Sequence, residues 1–224
     1  MNELDFLNEI DLLGTNQIKQ AEEWGHTEDI YWFSNATPKG LDVKFNGLQM
    51  TDYYVSDEYA RRTRWNLWTE CVDCLKNELN SKKVLDIGGA NGHFSFLCLQ
   101  NGIESYAIEP RIDMIKSTEK EFVENYGSKK MYCGNINILL NTIEKHIEDI
   151  KFKFDCVSIL NFLHGNGHNP KDIERLAFLL PKITEYIIVS DPNFGAMGLD
   201  NKFKNFEFIK FVGYENLHKL YKIT

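Results

Sequence analysis

The stretch from Val84 to Phe94 reads V-L-D-I-G-G-A-N-G-H-F, and its residue types are those of a nucleotide-binding turn. The apolar residues predict a buried strand, and the closely spaced glycines let the backbone of the next turn approach a ligand without an intervening side chain. Asp86 precedes the first glycine, and a carboxylate is an unfavourable neighbour for a pyrophosphate. The turn therefore favours a ligand that carries a cationic group and hydroxyls over a dinucleotide held by its phosphates.

A second acid lies where a ribose-binding residue is expected. Glu109 ends the next apolar segment and follows Gly88 by about 20 residues, the spacing at which doubly wound folds place an acid against ribose hydroxyls. Pro110 follows it directly. Two acids at the ends of successive strands, with a glycine turn between them, predict one site at the carboxyl edge of a parallel sheet.

The elements around these residues alternate along the chain. A helix is predicted over residues 57–79, with Ser56 as its N-cap and with Trp68, Cys71, Val72 and Leu75 facing inward. The strands predicted after it span residues 83–87, 105–109, 130–133, 154–160 and 186–190. The helices predicted between them span residues 93–100, 112–126, 137–147 and 171–180. Segments 206–212 and 218–223 alternate apolar and polar residues, which predicts an antiparallel hairpin.

The first part of the chain follows a different pattern. Leu4, Leu7 and Ile10, and less regularly Leu13 and Ile18, indicate one or two short amphipathic helices. Residues 27–56 are aromatic-rich and are expected to be irregular. The whole pattern predicts an α/β fold, with a doubly wound, mostly parallel, Rossmann-like sheet of seven strands, a C-terminal antiparallel hairpin and an N-terminal helical lid.

The segment D-I-G-G-A-N-G resembles the first motif of class I S-adenosylmethionine-dependent methyltransferases, which is usually acid-x-G-x-G-x-G. The likeness extends over roughly residues 80 to 224, and Ala90 replaces the middle glycine of the motif. The resemblance implies that S-adenosylmethionine is the cofactor and that its ribose binds Glu109. The cofactor contacts that it implies are Asp86, Gly88, Gly89, Ala90, Gly92, Glu109, Pro110, Asn135, Ile136, Asn161 and Phe162. For Asn135, a role as a turn cap is an equally good interpretation.

Methyl transfer to a hydroxyl or an ammonium group also needs a base, because the acceptor must lose a proton. His164, in N-F-L-H-G-N-G-H, follows the fourth predicted parallel strand, and an imidazole titrates near neutral pH. It is the candidate catalytic base; the alternative is that it only shapes the loop or packs on the adenosine.

Other polar residues are candidates for binding the methyl acceptor. They lie before the first predicted parallel strand and after the fifth, and they are Tyr54, Tyr59, Arg61, Arg64, Asp191 and Asn193. For the arginines, the alternative is a solvated charge run on a helix surface. Only one carboxylate occurs among Asn161, Asp191 and Asn193, and a hard cation needs more, so no metal site is predicted.

Composition narrows the classes of partner. The net charge is −8, and nucleic-acid binding rests largely on cationic side chains, so no nucleic-acid partner is expected. No apolar run approaches the length of a membrane span. Five cysteines without an export signal indicate reduced thiols and a cytoplasmic protein, and Cys71-x-x-Cys74 lacks the second pair of a zinc site. We expect a monomer or a homodimer.

The sequence thus predicts a methyltransferase that modifies oxygen or nitrogen of a small polar metabolite, such as a sugar or an anionic compound. Residues 1–80 are expected to form the lid that binds this acceptor, and residues 81–224 the cofactor-binding core. The alternatives are a non-catalytic module that binds S-adenosylmethionine or NAD, and a protein methyltransferase. Base methylation of nucleic acids is disfavoured, because N-F-L-H stands where such enzymes carry N-P-P-Y or D-P-P-Y.

Overall fold

The computed structural model describes residues 1–23, 42–45, 48–51, 68–89, 92–160, 170–190, 203–212 and 218–224. The strands among them are β1 Asp42–Phe45, β2 Leu48–Thr51, β3 Lys83–Ile87, β4 Glu104–Glu109, β5 Met131–Cys133, β6 Phe154–Ile159, β7 Thr184–Ser190, β8 Phe206–Val212 and β9 His218–Ile223. The helices are α1 Glu3–Glu23, α2 over residues 68–73 with a π-helical continuation at Cys74–Glu78, α3 His93–Gln100, α4 Ile112–Tyr126, α5 Ile136–Lys145 and α6 Pro170–Leu179, and a short 3-10 helix follows at Leu180–Lys182.

Seven strands form one sheet in the order β5-β4-β3-β6-β7-β9-β8. The strands from β3 to β7 run parallel, and β9 runs antiparallel to both of its neighbours, β7 and β8. The chain proceeds outward from β3 to β5 and then returns with β6 to the other side of β3, so the strand order reverses at β3. The predicted doubly wound, mostly parallel sheet with a C-terminal hairpin and an N-terminal helix is therefore confirmed.

Both faces of the central strands are buried. Leu85 and Ile87 of β3 pack with α1, α5 and α6, whereas Val84 packs on the opposite face with α2 and α3. In β4, Ile108 faces the first of these clusters and Ala107 faces α3 and α4. This burial on two sides explains why the strands read as continuous apolar runs rather than as alternating ones.

The N-terminal segment forms a single helix, α1, rather than two short ones, and its buried face differs in part from the predicted one. Phe6, Leu7 and Ile10 are fully buried, whereas Leu4 and Leu13 are 52% and 41% exposed. The reason is that α1 packs against the edge strand β5 and against α5. These contacts bury a narrower face of α1 than the spacing of its apolar residues indicated.

The helix α1 crosses the edge of the sheet at β5. Asp11 accepts a hydrogen bond from the backbone N–H of Cys133 at 2.7 Å, which satisfies a donor that an edge strand would otherwise leave unpaired. A Cβ atom on Gly14 would lie only 2.2 Å from the carbonyl oxygen of Cys133. Beyond this crossing, Ile18 packs on the other face of the sheet, with residues of α3 and α4. The second half of α1 therefore lies beside the carboxyl end of β5.

A short hairpin, β1 with β2, lies within the segment that was expected to be irregular, and this expectation was wrong. The two strands pair antiparallel, with Phe45 opposite Leu48. The sequence between them is Asn46-Gly47, the dipeptide most typical of a two-residue hairpin connection. The signal was therefore present in the sequence, but the surrounding aromatic residues obscured it.

The described part of α2 has the predicted inward face. Cys71, Val72 and Leu75 are buried and Trp68 is half-buried, while the predicted beginning of this helix, residues 56–67, lies outside the described residues. At the other end of the chain, β8 and β9 coincide with the predicted hairpin ranges. The later strand, β9, is the one that pairs with β7. It is therefore the inner, mostly buried strand of the hairpin, and β8 forms the edge of the sheet.

Candidate cofactor site

The carboxyl ends of β3, β4, β5 and β6 lie at one edge of the sheet, and the strand order reverses there at β3. In a sheet of this topology, ligands bind in the crevice outside these strand ends. The predicted cofactor residues at this edge that the structure describes are Asp86, Gly88, Gly89, Gly92, Glu109, Pro110, Asn135 and Ile136. The remaining predicted site residues lie outside the described residues; they are Ala90, Asn161, Phe162, His164, Tyr54, Tyr59, Arg61, Arg64, Asp191 and Asn193.

The glycine turn after β3 lies tightly on β4. The backbone N–H groups of Gly88 and Gly89 both donate to the carbonyl oxygen of Ile108, at 2.8 and 3.2 Å. A Cβ atom on Gly89 would lie 2.6 Å from Cβ of Ala107 and 3.1 Å from Oδ2 of Asp86. A side chain at this position would therefore push the turn off the sheet and away from the acid.

Gly92 begins α3 in a left-handed conformation, with a φ of 72°. Its N–H group donates to the carbonyl oxygen of Gly89 at 2.7 Å, which closes the turn. A Cβ atom here would lie 2.8 Å from the ring of Phe122 and 2.9 Å from Sδ of Met131. The third glycine of the motif is thus required by the packing of the turn on α4 and β5, whatever ligand the turn binds.

Asp86 is a buried acid at the end of β3. Its side chain is 3% exposed, and Oδ1 accepts a hydrogen bond from Oγ of Ser158, its partner on β6, at 2.7 Å. The pKa of Asp86 is raised to about 7, chiefly by burial; the Ser158 hydrogen bond opposes this rise, and the charge of Glu109 adds to it. A carboxyl group held so far from its ordinary pKa is a feature of functional sites.

Glu109 ends β4 beside this acid and is 2% exposed. Its Oε1 atom accepts two hydrogen bonds from Arg111, one from Nε at 2.7 Å and one from the backbone N–H at 3.0 Å. Parallel pairing sets Ile87 opposite Ile108, so Glu109 lies one position beyond the last pair of β3 and β4. Two carboxylates therefore flank the glycine turn at the corner where the sheet reverses its order.

Asn135 is the N-cap of α5, which is the alternative that the sequence left open. Its Oδ1 accepts from the N–H of Ile138 at 3.0 Å, and its Nδ2 donates to Oε1 of Gln17 in α1 at 3.3 Å. The side chain of Ile136 is 5% exposed and packs in the core with α1. A cofactor contact by either residue stays a prediction; the amide of Asn135 is engaged within the chain.

His93, the first residue of α3, packs against the ring of Trp68 from α2, with ring centroids 6.0 Å apart. This contact packs α2 on α3. It also brings α2 to the amino end of α3, beside the glycine turn.

Sequence reasoning missed three partners of the site: Arg111, Ser158 and Gln17. Arg111 follows Glu109 by two residues, so an acid–proline–arginine sequence at a strand end was an available signal. Ser158 and Gln17 reach the site through strand register and through the path of α1, which the sequence does not show.

Among the described residues, no three His, Cys, Asp or Glu side chains are grouped as metal ligands would be. None of the helices in the described ranges is long and apolar enough to cross a membrane.

No protein-family model matches the chain, and no curated protein matches it significantly. Solved structures do match. A methyltransferase from Geobacter sulfurreducens aligns with 76% of this chain and 92% of its own, at 10% identity and a TM-score of 0.50. TehB from Haemophilus influenzae aligns with 69% of this chain and 62% of its own, at 14% identity and a TM-score of 0.50. Together with the strand order, these likenesses confirm the resemblance at the level of architecture: the chain has the fold of class I S-adenosylmethionine-dependent methyltransferases.

Proposed function

We propose that the chain binds S-adenosylmethionine at the carboxyl edge of its sheet and transfers the methyl group to oxygen or nitrogen of a small polar metabolite. The observation that carries this proposal is the pair of buried carboxylates, Asp86 and Glu109, on either side of a glycine turn. No other group of described residues combines buried charge with a strand-order reversal.

The chemistry of this pair fits the cofactor. Burial raises the pKa of Asp86 to about 7 despite the hydrogen bond from Ser158, so its ionised form would gain from a cationic ligand. S-adenosylmethionine carries an ammonium and a sulfonium group, and its ribose hydroxyls can donate hydrogen bonds to a carboxylate such as that of Glu109. A pyrophosphate would face both acids and be repelled. The site therefore favours an adenosyl sulfonium over NAD.

When bound, S-adenosylmethionine supplies a methyl group that is already activated for displacement, so the chain has to hold the reactants in line and exclude water. We propose that His164 accepts the proton that a hydroxyl or ammonium acceptor loses. The acceptor would be held by Tyr54, Tyr59, Arg61 and Arg64 from the first 80 residues, and by Asp191 and Asn193 after β7. These arginines suit an anionic acceptor or the carboxylate of the cofactor.

Calorimetry with S-adenosylmethionine, S-adenosylhomocysteine and NAD tests the proposal. We expect both adenosyl compounds to bind, and we expect Asp86→Asn and Glu109→Gln each to weaken this binding about tenfold or more, because each removes a charge from the site. Asp155→Asn is the matched control, since Asp155 lies at the opposite end of the sheet and accepts hydrogen bonds from the N–H groups of Lys82 and Lys83. Tight binding of NAD alone would reject the proposal.

A second experiment separates catalysis from cofactor binding. His164→Ala should lower turnover of an identified acceptor by about 100-fold, the usual contribution of a positioned base, and leave the affinity for S-adenosylhomocysteine unchanged. A loss of cofactor affinity would instead assign His164 to the wall of the pocket. A chain that binds the cofactor without transferring methyl to any small molecule or protein would be a non-catalytic cofactor-binding module.

A further inference from the structure

We infer that Arg111 is a positioning residue for the cofactor ribose, and that it acts by fixing the carboxylate of Glu109. This inference rests on the proposed function, because it names a new participant in the same site. Arg111 was not among the predicted site residues, and the contact that it makes follows from the fold rather than from the motif.

Arg111 contacts Glu109 through both its side chain and its backbone. Both the side-chain Nε and the backbone N–H of Arg111 donate to the same oxygen of Glu109, at 2.7 and 3.0 Å. The backbone of Arg111 is extended, with φ of −88° and ψ of 106°, because this residue precedes the first turn of α4. The turn through Pro110 thus folds the arginine back over the acid that ends β4.

Two donors on one oxygen fix the rotation of a carboxylate about its last side-chain bond. With a single hydrogen bond the carboxylate could rotate, and its ordering on ligand binding would cost free energy. The pair is also shielded from solvent, since the side chains of Arg111 and Glu109 are 14% and 2% exposed. The ion pair is therefore a preorganised acceptor rather than a surface salt bridge.

The arginine also supplies positive charge where two acids meet. Asp86 and Glu109 lie close enough for the charge of Glu109 to raise the pKa of Asp86. A buried carboxylate requires a compensating partner. Arg111 offsets Glu109 and so lets both acids serve one ligand, with Asp86 toward its cationic end and Glu109 toward its ribose.

The inference is tested by a cycle that combines a protein variant with a changed ligand. The ligands are S-adenosylhomocysteine and its 2′-deoxyribose analogue, and the proteins are the wild-type chain, Arg111→Met and Arg111→Lys. Binding is measured by calorimetry, and a thermal melt of each protein shows that it is folded. Arg175→Met is the matched control, since Arg175 pairs with Glu144 on the surface of α5.

In the wild-type chain, loss of the 2′-hydroxyl should weaken binding about tenfold, as expected for one hydrogen bond to a charged group. In Arg111→Met, binding of S-adenosylhomocysteine should fall by a similar factor, and loss of the 2′-hydroxyl should then have little further effect. Arg111→Lys keeps a charge near Glu109 and should fold, but it lacks the Nε donor and should show the same reduced discrimination. Arg175→Met should behave as the wild-type chain does.

The inference would be overturned if both Arg111 variants bound S-adenosylhomocysteine and its 2′-deoxyribose analogue more weakly than the wild-type chain by the same factor. It would also be overturned if both variants kept the full wild-type preference for the ligand with the 2′-hydroxyl. Arg111 would then be a purely structural residue. If Arg111→Met does not fold, the Arg111→Lys protein decides the question by the same criterion. Failure of the wild-type chain to bind S-adenosylhomocysteine at all would instead reject the proposed function, so the two failures are distinguishable.

Discussion

Above a pH of about 4, the carboxyl group of Asp86 lowers the free energy of unfolding of the protein. Its pKa is about 7 in the folded protein, whereas an aspartate in an unfolded chain titrates near about 3.9. Between these values the folded chain holds a proton that the unfolded chain has lost, so this residue makes stability fall as the pH rises from about 4 to about 7.

Asp86→Asn is therefore expected to stabilise the protein in the absence of ligand near pH 8, by on the order of 3 kcal/mol, because asparagine resembles the protonated acid and its oxygen still accepts from Ser158. Near pH 4 the folded wild-type acid is protonated and the unfolded one is about half protonated, so the two proteins should differ in stability by less than about 1 kcal/mol. Denaturant unfolding at both pH values measures the difference. An identical pH dependence in the two proteins would show that Asp86 ionises normally.

Gly92 offers a second test at the residue scale, with Gly127 as a matched control. Both have a positive φ, 72° and 71°, so alanine costs similar backbone strain at each, about 1 kcal/mol. Only at Gly92 would the new methyl group meet Phe122 and Met131, whereas nothing lies within 4 Å of a Cβ at Gly127. We expect Gly92→Ala to be less stable than Gly127→Ala by about 2 kcal/mol in urea unfolding. Equal losses would mean that packing does not select glycine at Gly92.

The site was predictable from sequence only where a residue type and its position along the chain suffice. Asp86 and Glu109 were found because packing alone seldom requires an acid at the end of a buried strand, at a set spacing from a glycine turn. Ser158 could not be found, because its hydrogen bond to Asp86 depends on the register of β3 with β6. The role of Asn135 stayed open until the path of α5 showed which N–H group its side chain accepts from.

Among the helices and strands near the site, α1 is the one whose position could least be predicted from the sequence. Its periodicity predicted a helix but not that the helix crosses the edge of the sheet. That crossing depends on Gly14, where the backbone of α1 lies directly on Cys133, and on Asp11, which caps the edge N–H of the same residue. Gln17 then reaches Asn135 at the carboxyl edge, so α1 borders the candidate cofactor site.

Gly14→Ala is expected to destabilise the protein, although the same change inside a helix usually stabilises it by about 1 kcal/mol. The reason is that the added methyl group would lie 2.2 Å from the carbonyl oxygen of Cys133, which forces α1 away from β5. We expect a net loss of about 2 kcal/mol in urea unfolding. Asn16→Ala, at an exposed position of the same helix, serves as the control and should be neutral or stabilising. A stabilised Gly14→Ala protein would show that α1 does not approach β5 this closely.

At the scale of the whole molecule, the alternation of strands and helices predicted the architecture because each parallel crossover requires a helix and each buried strand requires a continuous apolar run. The bounds of β3, α3, α4, β8 and β9 agree with the predicted ranges. The order of β9 and β8 in the sheet was not predictable, because both hairpin strands carry similar alternating patterns. The β1–β2 hairpin was missed although its connection, Asn46-Gly47, carries a hairpin signal.

The sheet and the first 80 residues share their hydrophobic clusters. Phe6 and Leu7 of α1 and Cys71 and Leu75 of α2 are fully buried in clusters that include strand residues. Loss of even one large buried side chain costs about 2–5 kcal/mol, against a total stability of about 5–15 kcal/mol. We therefore expect a fragment of residues 81–224 not to unfold cooperatively on heating, whereas the full chain should. A sharp thermal transition in the fragment would contradict this expectation and show that the core folds alone.

The central claim is that Asp86, ionised, binds the cationic part of an adenosyl cofactor beside Glu109. The most direct test is the affinity for S-adenosylhomocysteine as a function of pH, measured by calorimetry on the wild-type chain and on Asp86→Asn. With a pKa of about 7 before binding, the wild-type affinity should rise about tenfold from pH 6 to pH 8, because at the lower pH a proton competes with the ligand for the carboxylate. The variant should bind weakly at both pH values. No binding to the wild-type chain, or the same affinity and pH profile in both proteins, would contradict the claim.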